Sequence, residues 1–500
     1  MNGWKTPWRW ASLVLVAGLF LLTSYRAATQ SIVHDEAYTW QLYLASPVAS
    51  LFEHYDANHH FLATLLMRLS TELFGYSELA MRLPALLAAA WYFHTAWRLS
   101  AVVLGGGGVS FLCLGLLCGN PLILDFLVAA RGYGLALACL PYALCQVVLA
   151  LGKPEPESGK ALAKAGAALS LAVMANLTFL LPAAAAAALL LWRLRERGKT
   201  RQAASPAKKR GMKPPGWGAE AFRFLAPVGA LAVVFFLAAP LHRARGEHFY
   251  TGAQSILDSL RSLMAPAFSY QSGLAGLWDG TSWRGRLMVA GALVVTVLVA
   301  AGWYMGRKRT PRAAREEMMW FAAGTALGAA LLALFLRLAA AFPYPAERTG
   351  IYFYPLATMS CACLCQALLE GKRAVHIAGM AMAVLGAAAG VAFAAQWTAS
   401  SFYLWRYDAD SRAILEYIGE QHRGKPGVAR IGAPWQFEPS FNFYRETRRY
   451  AWMRAVDRSG ARGQFDYYVL PPDEMSLEKE LALRVIRRFP VSGAVVAVSR

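Results

Sequence analysis

Four runs of this chain, residues 225–241, 287–304, 318–342 and 377–397, stay apolar for close to the roughly 20 residues that cross the hydrocarbon of a bilayer. Runs of that length cannot all be folded into a water-soluble core. The composition agrees: 57% of the residues are hydrophobic and only 16% are charged, where a soluble globular chain carries about a quarter of its residues as charges. Lipid is therefore the solvent for much of the molecule, and the chain reads as an α-helical polytopic membrane protein.

A formal charge of +20 would suit a nucleic-acid binder if the cations were spread over one face. They are not. Arg193, Arg195, Arg197, Lys199, Arg201, Lys208, Lys209, Arg210 and Lys213 form one block, Arg307, Lys308, Arg309, Arg312 and Arg315 a second, and Lys372 with Arg373 a third. Each block sits beside the end of an apolar run, where lysine and arginine fix orientation by staying on the cytoplasmic side. Membrane lipid is the expected partner and nucleic acid is not.

From a cytoplasmic N-terminus the chain threads as about eleven spans, at 10–25, 83–103, 107–124, 132–151, 165–178, 180–194, 223–241, 286–305, 317–341, 350–370 and 374–397. This threading puts all three basic blocks inside. The first span follows Lys5 and Arg9 as a secretory signal would, but residues 24–27 make a poor small-residue cleavage site, so it reads as an uncut anchor. Residues 198–218, rich in Pro, Gly and Lys, read as a flexible inside linker. Residues 1–399 then make up the transmembrane part, with 26–82 as the first long outside loop. Residues 400–500 lose the apolar runs and alternate a helix-like stretch (408–422) with strand-like ones (428–431, 467–470, 494–498), the pattern of a small soluble α/β domain outside the membrane. All seven cysteines lie in apolar stretches, which points to neither a disulfide framework nor a metal cage.

The loop 26–82 concentrates the titratable groups: His34, Asp35 and Glu36 about ten residues after the first span, then Glu53, His54, Asp56, Asn58, His59 and His60. Such groups at a membrane surface are costly to desolvate, which makes them candidates for function. In the same loop residues 61–69 are apolar yet too short to span, which suits a helix lying in the interface and roofing a membrane-level cavity.

Taken in order, Asp35-Glu36, Asn58-His59-His60-Phe61, Gly75-Tyr76-Ser77-Glu78 running into Arg82-Leu83-Pro84, Arg131-Gly132-Tyr133-Gly134 and Glu347-Arg348 resemble the C-superfamily glycosyltransferases. The nearest type is that of the bacterial relatives of protein O-mannosyltransferases and the lipid A aminoarabinose transferase, the glycosyltransferase family 39 kind. The resemblance covers nearly the whole chain. His60 is a departure, since many relatives carry proline after the histidine, and it bears on the shape of that loop. The resemblance implies a hexosyl or pentosyl transferase in the bacterial inner membrane, with an extracytoplasmic C-terminal domain, a polyprenyl-phosphate sugar as donor and an envelope acceptor. It also implies that Asp35 and Glu36 are catalytic.

Physical chemistry reaches a compatible mechanism. An acceptor hydroxyl is a weak nucleophile, so a carboxylate, here Asp35, must take its proton as the new bond forms. The leaving group is already a phosphate and needs no second acid, so one base with inversion at the anomeric carbon is expected. The departing phosphate needs fixed positive charge, and Arg131 and Arg348 at outer span ends can provide it in bidentate form. Asn58, His59, Tyr133 and Glu347 are candidates for positioning donor or acceptor. Asp125, at the outer end of the third span, stands where the family often has a second acidic residue. Asp35, Glu36 and Asp125 could supply oxygen ligands to a divalent metal ion, although nothing in their spacing names one. The alternative reading is a transporter or flippase of a lipid-linked sugar, but transporters favour inverted repeats and midplane sites, and here the charges gather in loops on one side. An inactive relative serving as an assembly subunit is a third reading.

Overall fold

The computed structural model describes residues 3–153, 156–204, 217–243, 252–268 and 314–500. The expected span at 286–305, the cations of 208–213 and 307–312, and most of the linker lie outside them. The chain is predominantly helical: α1 (Thr6–Thr29), the short α2 (His34–Thr39), α3 (Phe61–Phe74), α4 (Glu78–Leu104), α5 (Gly108–Gly119), α6 (Gly132–Gly152), α7 (Glu157–Ala175), α8 (Leu180–Ala204), α9 (Trp217–Ala238), α10 (Ile256–Phe268), α11 (Ala314–Ala340), α12 (Phe353–Leu369) and α13 (Arg373–Ala394).

Six of the helices among the described residues, α1, α6, α8, α9, α11 and α13, are long and apolar enough to cross a membrane, where the threading placed ten of its eleven spans in those residues. The difference has local causes. The third expected span stops at Asn120, whose Oδ1 accepts hydrogen bonds from Leu122 and Ile123 N–H at 3.0 and 3.2 Å. Pro121 then starts a separate turn, Pro121–Phe126, so the apolar helix is only α5. α4 is long and continuous, but Arg82, His94 and Arg98 make it less apolar, and α12 is apolar but short. Apolar side chains point outward from the long helices: Leu237 is 82% exposed and Leu385 71%, a cost that lipid removes.

The basic blocks also join helices. Arg193 on α8 pairs with Glu317 on α11 at 2.5 Å, both nearly buried, and Arg315 on α11 makes a two-pronged pair with Glu370 after α12 at 2.6 Å per contact.

The C-terminal region holds α14 (Ser411–His422), α15 (Glu438–Thr447) and four strands, β1 (Ile431–Gly432), β2 (Tyr467–Leu470), β3 (Leu483–Arg488) and β4 (Val495–Ser499). They form one sheet of order β1-β2-β4-β3, with β1 and β2 parallel and the other pairs antiparallel. β3 had no sequence expectation, because as an edge strand it carries Arg484, Arg487 and Arg488 where alternation would be sought. One hydrophobic core unites this region with the first loop: Ile32, Ala37, Trp40, Met67 and Met81 pack with Ile414, Phe441, Tyr444, Val469 and Val496. The region is seated on the residues that carry the site.

Candidate active site

α2 begins right after the first long helix, and its first residues are fixed from several sides. Glu36 is fully buried and both its oxygens are taken: Arg82 donates to them at 2.9 and 2.6 Å, Ala130 N–H at 2.6 Å and Val33 N–H at 3.1 Å. The remaining N–H groups of Arg82 go to the carbonyls of Ala27, Gln30 and Ser31. This pair ties the end of α1, the start of α4 and the turn before Arg131 into one block. Glu36 is thus an anchor, saturated by structural partners, and not a second free carboxylate.

Asp35, one residue earlier, is held differently. Its Oδ2 lies 3.4 Å from Arg131 Nη2 and 3.3 Å from Arg348 Nη1, and among the described residues this oxygen has no hydrogen-bond partner. The two guanidinium groups converge on it without forming the short, aligned contacts that a closed ion pair makes. Burial pushes the Asp35 carboxyl up, but Arg131 and Arg348 more than offset it and hold the group below the ordinary carboxylate value. Asp35 is ionised at neutral pH.

Each arginine is aimed by its own support. Arg131 is the residue just before α6 and donates through Nη1 to Asn58 Oδ1 at 2.6 Å. The helix reaches that place because Gly132 and Gly134 carry no side chain: a Cβ on them would fall 1.8 Å from the Ala175 carbonyl oxygen and 2.4 Å from that of Phe126. Arg348 lies in the turn Glu347–Gly350, packed against α10, where Ser259 donates to the Pro345 carbonyl at 2.5 Å and Tyr354 to that of Leu263. Glu347 opens this turn with φ of +46°, a left-handed conformation that costs a non-glycine residue about 1 kcal/mol. Its carboxyl is raised by burial, which Arg348 only partly offsets.

The loop before α3 brings two neutral histidines. Asp56 Oδ1 accepts from the N–H groups of Asn58 and His59 at 2.7 and 3.1 Å, which folds the loop back on itself. His59 stacks on Tyr43 with ring centroids 4.2 Å apart, and burial lowers its pKa to about 4. His60 lies edge-on to Tyr133 at 5.2 Å. Burial, aided by the positive charges of Arg131 and Arg348, keeps His60 well below its usual value. Both rings leave a buried Nε2 unpartnered among the described residues. His60, singled out in the sequence only as a departure, is the one that feels the arginine pair.

Asp125 stands apart from this group. It pairs with Arg26 Nη2 at 2.5 Å and accepts from Tyr403 N–H at 2.8 Å, with 1% exposure. The three carboxylates considered for a metal therefore have separate environments, and no cluster of three or more His, Cys, Asp or Glu suited to a metal occurs among the described residues.

The C-terminal region adds residues that the sequence did not flag. The Arg348 guanidinium lies 5.8 Å from the Trp405 ring. Asp408, fully buried, accepts from His34 N–H at 2.7 Å and from the hydroxyls of Ser411 and Ser440 at 2.8 and 2.7 Å. It caps α2 one residue before Asp35, and burial raises its pKa to about 7.

No family model matches the chain, and no curated protein does. Several solved structures are similar over nearly its whole length. ArnT from Cupriavidus metallidurans in the apo state is 15% identical, with 99% of this chain and 98% of that one covered and a TM-score of 0.44. The same protein bound to undecaprenyl phosphate gives 14% identity, 97% coverage of both chains and a TM-score of 0.41. The Archaeoglobus fulgidus oligosaccharyltransferase, in complex with Zn and sulfate, gives 12% identity, 86% and 61% coverage and a TM-score of 0.45. Of these two proteins the oligosaccharyltransferase is a glycosyl-transferring one by its name, and likenesses with TM-scores below 0.5 carry no residue's role across.

Proposed function

We propose that this chain is a membrane glycosyltransferase that moves a sugar from a polyprenyl-phosphate donor to an envelope acceptor on the outer face of a bacterial inner membrane. The observation that carries the reading is the convergence of Arg131 and Arg348 on an Asp35 oxygen that makes no hydrogen bond. Two guanidinium groups beside one carboxylate leave a net positive charge in a buried place, which a singly charged sugar phosphodiester would balance.

The charge count also suits the reaction. The acceptor oxygen attacks the anomeric carbon, the bond to the phosphate oxygen breaks with its electron pair, and the acceptor's proton passes to Asp35. Asp35 becomes neutral as the leaving phosphate gains a second negative charge, so both arginines are released to that phosphate when it needs them. Attack opposite the departing phosphate inverts the anomeric centre. His60, neutral beside the arginines, adds no competing charge. A metal ion is not needed for this balance.

The test is purified protein in nanodiscs supplied with an undecaprenyl-phosphate sugar, with donor binding and sugar transfer to an envelope fraction followed separately. Wild type should do both, and Asp35→Asn should bind but not transfer. Movement of the donor across a vesicle bilayer with no transfer would overturn the reading in favour of a transporter.

A further inference from the structure

Residues 400–500 bury or half-bury every aromatic ring but one. Trp435 is 55% exposed. It is not a loose side chain. Pro434 precedes it, Phe437 two residues later is fully buried, and the turn closes with Phe437 N–H donating to the Pro434 carbonyl at 3.0 Å. The same turn is pinned to the candidate active site: the Gln436 carbonyl oxygen lies 2.8 Å from His34 Nδ1, which fixes the proton on that nitrogen. His34 is the residue before Asp35.

The rings around this pin make a shelf. His34 meets Trp435 edge to face at 5.2 Å and lies nearly parallel to Tyr38, one helical turn along α2, at 6.2 Å. The Arg458 guanidinium sits 5.5 Å from the Tyr38 ring. It is half exposed and, among the described residues, contacts Glu438 through Nε at 3.3 Å. A rigid, water-facing indole with a half-exposed guanidinium nearby matches a pyranose, which has an apolar face of C–H groups and a rim of hydroxyls.

We propose that Trp435, linked through His34 to Tyr38 and Arg458, is a saccharide-binding shelf that seats a pyranose ring at the start of α2, the helix that carries Asp35. The ring belongs to the donor sugar or to a sugar of the acceptor. Its place in a reaction rests on the transferase reading, but its binding does not, so the two can fail separately.

Saturation-transfer NMR on the full chain in nanodiscs, with methyl glucopyranoside and methyl mannopyranoside as probes, tests the shelf. Wild type, Trp435→Phe and Asp35→Asn should pass saturation to the ring C–H protons, and Trp435→Ala should bind about tenfold more weakly. Because the indole is exposed, Trp435→Ala should melt as wild type does. Equal signals from Trp435→Ala and wild type, or none from wild type with either probe, would overturn the proposal. A second arm compares undecaprenyl phosphate with an undecaprenyl-phosphate hexose. If Trp435→Ala loses the affinity that the hexose adds, the shelf holds the donor sugar; if it keeps that affinity while losing the pyranosides, the shelf holds the acceptor's.

Discussion

Asp35 and Glu36 are neighbours with the same chemistry and different surroundings, and the surroundings separate their expected phenotypes. Asp35→Asn should lower transfer by on the order of a hundredfold to ten-thousandfold while undecaprenyl phosphate binding persists, since the change removes a proton acceptor and leaves the arginines in place. Glu36→Gln should instead strand Arg82 in a buried site and cost about 3–5 kcal/mol of stability, read as a lower melting temperature before any rate is measured. Arg131 and Arg348 hold the Asp35 carboxyl below its usual value. The acid limb of the transfer rate should therefore lie below the ordinary carboxylate range in wild type. Arg348→Met removes a charge that favours the ionised form, so the limb should move to higher pH; an unmoved limb would separate Arg348 from Asp35. Of these residues Asp35, Arg131, Arg348 and Asn58 were legible in the sequence because each sits at a helix end or in the loop next to the first span. Arg82 was legible only as part of a motif, since nothing in a sequence says that its donors go to the carbonyls of Ala27, Gln30 and Ser31.

At the scale of elements, periodicity and length revealed the long apolar helices, and contacts between distant segments escaped it. Gly132 and Gly134 looked like motif residues, but their reason is the approach of α6 to the Ala175 and Phe126 carbonyls. Gly132→Ala should displace the helix start that bears Arg131, costing about 1–3 kcal/mol as overpacking does and weakening phosphate binding by more than transfer per bound donor. The cap on α2 was equally hidden, because Asp408 lies far along the chain from His34. Burial raises the Asp408 carboxyl to about 7, above its unfolded value of about 4. The folded state holds that proton more tightly, so this contribution to stability is fully present below about pH 4 and is lost as pH rises through about 7. Melting temperatures measured from pH 5 to pH 8 should fall in wild type, and the slope should flatten in Asp408→Asn. An equal slope in both proteins would assign the fall to other groups.

The whole molecule combines a lipid-facing bundle with a C-terminal region that shares a core with the first loop. That sharing requires residues near 45 and residues near 450 to lie on the same side of the membrane, whichever side it is. The positive blocks predict the side: Arg193 to Arg201 lie toward the C-terminal end of α8 and Arg315 at the start of α11, and such residues favour the cytoplasm. Single cysteines placed at 45, 265 and 450 in intact cells should react with a membrane-impermeant thiol reagent, and a cysteine at 205 should react only after the membrane is opened. The buried native cysteines should stay silent, since Cys113 and Cys139 lie inside apolar helices with almost no exposed surface for the reagent to reach. Reversed labelling of all four positions would keep the fold and turn it over in the bilayer, placing the sugar chemistry on the cytoplasmic face. Opposite labelling at 45 and 450 is the more damaging result, because no orientation of one folded chain can satisfy it while Ile32 and Trp40 pack with Phe441 and Tyr444.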